Sequence, residues 1–378
     1  MIKIPAQAFK EAGKILKRLA FAKSSLPVLS HVELRANGET ATLAVTDLNL
    51  RLEVRVRLAA PVSKAATMLI PHEAFRNAMK ADKDSVITFT QGSLGELHSI
   101  HLTTCCRGME IHANYPTLPA NEFPARPVVE GASSLLPAKT FAQLTRVAPC
   151  SYTKADRKVL TGVLFSPADG GLLVATDGKR LAGCPAVVPT RTEFVLPNAA
   201  VKVLAHQHFL KQASTVTVCG RGDDQLVCFH TKNALLTSRA ISGRFPNWKQ
   251  VVPTEHKASA TLGETERASL LSWLSSLKGE NQSVTIVPGE PGSVELHYAQ
   301  RGELISSVTV PVQSSGQIEP IQLDPLYLAT ALKIGNSLCF TDSMSPLVVR
   351  DADGAFAVAM PMRLTVLPEE VEPLQHAA

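Results

Sequence analysis

The sequence predicts an α+β protein of three similar domains, each a pseudo-duplicated unit of one helix and an antiparallel sheet. Three observations predict it. The chain runs to 378 residues, more than one ordinary core encloses and suited to two or three domains. A short apolar strand that meets a proline and continues into helix-spaced apolar residues recurs along it. The intervening segments are short, alternating or β-branched stretches separated by glycine-containing turns.

The repeat begins at Met1-Ile2-Lys3-Ile4-Pro5 with Phe9, and returns at Met68-Leu69-Ile70-Pro71 with Phe75. It recurs at Leu135-Leu136-Pro137 with Phe141 and at Phe194-Val195-Leu196-Pro197 with Val201. Weaker copies follow at Ala260-Thr261-Leu262-Gly263 and Ile321-Gln322-Leu323-Asp324-Pro325. Proline fixes its own φ near the helical value and lacks an N–H that the first helical turn leaves unpaired, so each is expected at a helix start. The residue before it is pushed toward extended geometry, as a strand end requires. Phe9, Ala12, Leu16 and Leu19 then step at helical spacing, as do Phe141, Leu144 and Val147.

Strands are expected at His31–Arg35, Thr42–Val45, Leu50–Val56, Val86–Phe89 and Val216–Cys219, with turns at Asn37-Gly38, Arg221-Gly222-Asp223 and Pro291-Gly292. One such unit cannot bury both its helix and its sheet, so units pair into domains. The proline-rich stretches around Phe123–Pro127 and Val252–Thr254 divide the chain into domains 1–127, 128–253 and 254–364, with an acidic tail 365–378. Val45-Thr46-Asp47-Leu48 and Ala175-Thr176-Asp177-Gly178 mark matching places in the first two domains. Both Thr-Asp pairs read as side-chain-closed turns at strand ends rather than as catalytic acids.

Composition narrows the function. Hydrophobic residues make up 45% of the chain and the formal charge is only +5, so the distribution of charge matters more than its sum. Seven scattered cysteines with no Cys-x-x-Cys pair indicate buried thiols in a reducing compartment, not a disulfide or zinc framework. No signal-like N-terminus or membrane-length apolar run is present, and a soluble cytoplasmic protein is the expectation. No phosphate-binding glycine loop, paired metal carboxylates or nucleophile elbow is visible. His98 and His101 near Cys105 and Cys106 lack ligand spacing. A binding protein without cofactor or metal is therefore expected instead of an enzyme.

The basic residues fall on the repeated helices. Lys10, Lys14 and Lys17 share one face of the first, with Lys23 beyond it; Arg76 and Lys80 lie on the second, and Lys202 on the fourth. Lys154 and Arg157 follow the third in a polar loop. One such stripe is usually a solvated face. Repetition on equivalent helices suggests a common surface for phosphates, independent of base sequence. With 5% aromatic residues there is little to stack single-stranded bases, and duplex DNA is the better ligand.

Several blocks resemble one family, the bacterial sliding clamps. They are Ser25-Leu26-Pro27-Val28-Leu29, Leu118-Pro119-Ala120-Asn121-Glu122-Phe123-Pro124, and Leu160-Thr161-Gly162-Val163-Leu164-Phe165 with Val174–Ala182. Gly243-Arg244-Phe245-Pro246-Asn247-Trp248 and Met360-Pro361-Met362-Arg363-Leu364 complete the set in the family's order. The resemblance implies a head-to-tail homodimeric ring of six domains with helices lining the hole. It also implies double-stranded DNA, the replicative DNA polymerase, a clamp loader and other clamp-binding-motif proteins as partners. By matched position it places a peptide groove at Leu160, Thr176, Gly178, Arg180, Leu181, Pro246, Val251, Val358, Met360, Pro361 and Met362. Trp273 and Leu274 are candidates for the subunit contact. The alternatives are a clamp paralogue that binds partners without a role at the replication fork, and a nucleic-acid-processing enzyme, for which the sequence offers no residues.

Overall fold

The computed structural model describes residues 1–19, 26–188, 190–212, 214–220 and 222–363, apart from the side chains of Asp169 and Asp223. Lys23, Ser25 and the tail 365–378 lie outside the described residues. In chain order the elements are β1 (Ile2–Pro5), α1 (Ala6–Leu16), β2 (His31–Thr46), β3 (Leu50–Pro71), α2 (His72–Ala78), β4 (Val86–Leu94), β5 (Leu97–Cys106) and β6 (Met109–Pro116). Then come β7 (Ser133–Leu136), α3 (Ala138–Val147), β8 (Gly162–Ser166), β9 (Leu172–Thr176), β10 (Arg180–Pro185), β11 (Phe194–Pro197), α4 (Asn198–Leu204), α5 (Gln207–Leu210), β12 (Ser214–Cys219), β13 (Leu226–His230) and β14 (Ala234–Arg239). The last stretch holds β15 (Ala258–Thr261), α6 (Glu264–Ser276), β16 (Gln282–Pro288), β17 (Ser293–Gln300), β18 (Glu303–Pro311), β19 (Gln313–Ser315), β20 (Ile321–Leu323), α7 (Pro325–Leu332), β21 (Ser337–Phe340), β22 (Leu347–Arg350) and β23 (Phe356–Ala359).

Every expected repeat yields a strand followed at once by a helix. The prolines sit one residue earlier than expected, however. Pro5, Pro71 and Pro197 are N-caps with φ of −57° to −60° and ψ of 130° to 152°. Each still belongs to its strand; Pro5 pairs with Val86 and Pro71 with His31. A proline there needs no ladder N–H and hands the chain to the helix with φ already set. Pro325 alone among the four occupies the first helical turn, where Asp324 Oδ1 accepts the Leu326 N–H at 2.8 Å.

Packing gathers the chain into two compact units, the first formed by Met1–Ala142 with Val187–Gly243, the second by Gln143–Ala186 with the chain from Arg244 on. The first unit has a four-stranded sheet in the order β1-β4-β5-β6 and a six-stranded sheet in the order β2-β3-β14-β13-β12-β7. Phe9, Phe75 and Phe89 meet in its core, with ring centroids 5.4 and 5.7 Å apart. Phe141 packs edge-on to Phe209 and Phe229 at 6.3 and 6.2 Å. Asn37-Gly38 is no turn. Strand β2 runs through it as an irregularity, with Gly38 at φ +56° and its pairing shifted on both sides.

In the second unit β8, β9, β10, β23, β22, β21, β15 and β19 follow one another across one sheet, and β18-β17-β16-β20 form another. Helices α6 and α7 are buried through Leu270, Leu274, Leu328 and Leu332. Leu274, 5% exposed, is thus a core residue and not the free contact surface expected of it. Arg146 of α3 is held within this unit: its guanidinium donates to Asp351 at 2.8 Å, to Asp353 at 3.1 Å and to the Ile334 carbonyl.

Candidate nucleic-acid and peptide interfaces

Helix α1 turns Phe9, Ala12, Ile15 and Leu16 inward, which leaves Lys14 and Lys17 exposed and Lys10 half-buried. Gly13 lets it close on α2, since a Cβ there would run into the Met79 thioether. The charges of different helices consequently fall within one field. His72, at the start of α2, is held below the ordinary imidazole range first by burial, then by the positive charges of Arg76 and Lys17. His206, between α4 and α5, is lowered by burial and then by Arg18, His208 and Lys14. Lys10 contributes to the low pKa of Asp82, whose carboxylate chiefly accepts the Gly108 and Arg107 N–H groups, both at 2.9 Å. Arg76, Lys80 and Lys202 are exposed, and Lys80 donates to Asn77 at 3.0 Å. The first unit thereby joins α1, α2 and the α4–α5 connection electrostatically, an arrangement that attracts a polyanion.

Lys154 and Arg157 belong to the second unit and are exposed. Arg157 lies over the Tyr152 ring at 5.7 Å. Its Nη1 is so close to Gly178 that a Cβ there would come within 3.2 Å. The structure therefore sets Arg157, expected among the DNA ligands, at the edge of the expected peptide groove.

Sheet register brings several of the expected groove residues together. Thr176 of β9 stands opposite Leu181 of β10, and Leu181 opposite Val358 of β23. The Thr176–Arg180 turn is self-closed, as expected. Thr176 Oγ1 donates to the Arg180 carbonyl at 2.7 Å and accepts the Gly178 N–H at 3.1 Å, while Asp177 accepts the Lys179 and Arg180 N–H groups. Thr46 and Asp47 make the same set of bonds to Leu48, Asn49 and Leu50. The third turn residue takes a left-handed φ in both copies, +76° at Leu48 and +90° at Gly178.

Beyond β23 the chain stays beside this turn. The Met360 N–H donates to the Lys179 carbonyl at 2.9 Å and the Met362 N–H to the Gln322 carbonyl at 2.7 Å. Met360, Met362 and Val251 remain 39%, 41% and 46% exposed and offer apolar surface. Leu160, Leu181 and Val358 are buried, and Pro361 is half-buried. Trp248 lies 6.0 Å from Phe356, which brings the exposed Pro246 and Val251 toward β23.

The sequence reading missed Tyr327. Arg180 sits 5.1 Å over its ring and donates to Thr330 at 2.8 Å and to Asp177 at 3.0 Å, so α7 packs against the Thr176–Arg180 turn. No local signal joins residue 180 to residue 327.

Strand β10 approaches β23 through Gly183, where a Cβ would come within 2.5 Å of the Phe356 ring. Gly183→Val is expected to cost roughly 1–3 kcal/mol by overpacking and to move β23 with its groove residues. Thermal unfolding followed by the fluorescence of Trp248 and Trp273 checks this; an unchanged midpoint refutes it.

Among the described residues no three His, Cys, Asp or Glu side chains could hold a metal. Cys150 and Cys184 are pushed up to about 12 and about 11 by burial, which makes them inert thiols. Cys105, Cys106, Cys219 and Cys228 are only half-buried, but all seven are free. No helix among the described residues is long and apolar enough to cross a membrane.

Comparison with known proteins places the chain in a family. Residues 6–127 match the family described as the N-terminal domain of the DNA polymerase III beta subunit, and residues 135–247 match its central domain. The beta sliding clamp of Chlamydia pneumoniae is 27% identical over 370 residues, covering 94% of this chain and 97% of that one. Among solved structures, the DNA polymerase III subunit beta of Pseudomonas aeruginosa superposes with a TM-score of 0.82 at 22% identity, covering 96% of this chain and 100% of that one. The clamp from Bartonella birtlesii, solved bound to griselimycin, has a TM-score of 0.81 at 20% identity over 96% of this chain and 99% of its own. With both domain signatures in order along the chain, the protein belongs to the family of bacterial DNA polymerase III beta subunits.

Proposed function

We propose that this clamp encloses duplex DNA and tethers the replicative polymerase through the slot between β9, β10, β23 and α7, without catalysing a reaction itself. The observation that carries the reading is the shared positive field of α1, α2 and the α4–α5 connection. Lys10, Lys14, Lys17, Arg76, Lys80 and Lys202 supply weak, exchangeable phosphate contacts there, and Lys23 and Lys154 extend the set. Weak contacts suffice when topology, not grip, prevents escape, and tethering keeps the polymerase at high effective concentration.

Enclosure requires a closed assembly. We take the repeats as three domains, 1–127, 128–253 and 254–364, two copies of which make a six-domain ring. Strand β6 ends the sheet of the first unit and β18 ends the second sheet of the second unit. Both carry exposed apolar residues, namely Met109, Ile111 and Ile305. Such edges are templates for another strand. Pairing β6 of one copy with β18 of the next is a heterologous contact of the kind that closes a ring. An ATP-driven clamp loader would open it on DNA in the cytoplasm.

Retention on circular against linearised duplex tests the function. After loader treatment the clamp should stay on circles and run off linear ends; equal loss from both refutes enclosure. The mass in solution should be that of two chains. For the groove, Met360→Asp with Met362→Asp should weaken partner-peptide binding at least tenfold, as expected when apolar anchors lose their pocket, while leaving the dimer intact. Undiminished binding removes the groove from this surface.

A further inference from the structure

We propose that residues 364–378 of the chain fold back into the groove and compete there with partner peptides; this rests on the groove reading above. Its position is the first argument. Met360 and Met362 are anchored by their N–H groups to Lys179 and Gln322, so the chain leaves Arg363 already alongside the slot. No linker is needed to reach it. The fifteen residues after Arg363 span up to ~50 Å when extended, enough to reverse direction and still cover a short peptide site.

The second argument is chemical match. The segment Leu364-Thr365-Val366-Leu367-Pro368-Glu369-Glu370-Val371-Glu372-Pro373-Leu374 alternates apolar anchors with acids and contains no lysine or arginine. Two prolines suit it to an extended ligand and not to a helix. The slot offers Met360, Met362 and Val251 partly exposed, an apolar surface that needs a cover. Its edge is basic. Arg157 stands against Gly178 and Lys179 is exposed beside it; of the acids there, Asp177 is paired with Arg180 and Asp156 accepts the Tyr152 hydroxyl. Three glutamates in the segment therefore meet an edge with Arg157 and Lys179 on it.

An intramolecular competitor need not bind tightly. A tether this short holds its ligand at about millimolar effective concentration, so an interaction of only about 0.1–0.5 mM lowers the apparent affinity of an outside ligand about three- to tenfold. The test compares the full chain with its Glu369→Lys, Glu370→Lys, Glu372→Lys variant, using griselimycin as the probe in calorimetric titration. The variant should bind it about three- to tenfold more tightly, and the difference should shrink at high salt. Free peptide 364–378 should compete on the variant, and the methyl NMR signals of Met360 and Met362 should differ between the two chains. Equal affinities, no competition and unmoved methyl signals overturn the proposal while the groove stands. Failure of griselimycin to bind either chain, or binding indifferent to Met362→Asp, brings down the groove reading and this inference with it.

Discussion

Replacing Lys10, Lys14 and Lys17 together by glutamate is expected to weaken duplex binding on the order of 100-fold at physiological salt and to flatten its salt dependence by roughly 2.7 in log–log slope. Lys14 and Lys17 are exposed and Lys10 is half-buried, and none of the three belongs to the buried set of α1, so the change removes no core residue. Fluorescence anisotropy on a short linear duplex over a salt series measures both quantities. An unchanged slope would return these residues to the role of a solvated helix face. The histidines provide a second readout. His72 and His206 are held low by burial and by the neighbouring cations, and bound phosphates offset those cations. Their pKa is therefore higher in the complex than in the free protein, binding takes up protons, and affinity should rise as pH falls through the imidazole range. Arg18 and Arg76 remain in the variant, so the effect should shrink without vanishing.

Removing Arg51 is expected to have the largest effect on stability. Its side chain is 4% exposed and links Glu33 to Glu53, with Arg35 also reaching both carboxylates. Arg51 further donates to the Pro124 carbonyl at 2.9 Å and lies 5.2 Å over the Phe123 ring. Arg51→Ala leaves two carboxylates, each about nine-tenths buried, short of their main counter-charge, a loss of roughly 3–5 kcal/mol. Replacing Glu33, Arg51 and Glu53 together by apolar residues of similar size should be far milder, because no charge is then stranded. The lowest-melting transition of the thermal profile reports the difference. A loss below about 1 kcal/mol for Arg51→Ala would mean that Arg35 and Arg126 compensate the site.

This network shows where sequence reading stops. In Glu33-Leu34-Arg35 and Arg51-Leu52-Glu53-Val54-Arg55 the charges alternate with apolar residues, the pattern of a sheet with one wet face. The apolar set is indeed in the core. Glu33, Arg51 and Glu53 are not wet, because Phe123 and Pro124 lie across Arg51, whereas Arg55 is exposed. Nothing local to residues 33–53 announces a cover that arrives some seventy residues later.

Two kinds of locally encoded feature were legible, although Asn37-Gly38, expected as a turn, lies within β2. Thr46-Asp47 and Thr176-Asp177 close turns through bonds that span at most four residues, and the strand–proline–helix junctions depend on one fixed φ and one missing N–H. Their recurrence, read from the sequence by itself, determined the repeated α+β unit and the basic stripes. Tertiary structure alone decided what those pieces became. Only pairing of β9, β10 and β23 puts Thr176 beside Leu181 and Val358, and only packing of α7 brings Tyr327 under Arg180. Only the closeness of α1 to its neighbouring helices puts Lys14 and Lys17 in the field of His206 and His72. The physical reason is range: turn and cap chemistry is settled within four residues, whereas register and helix packing are settled by burial of apolar surface between segments far apart in the chain.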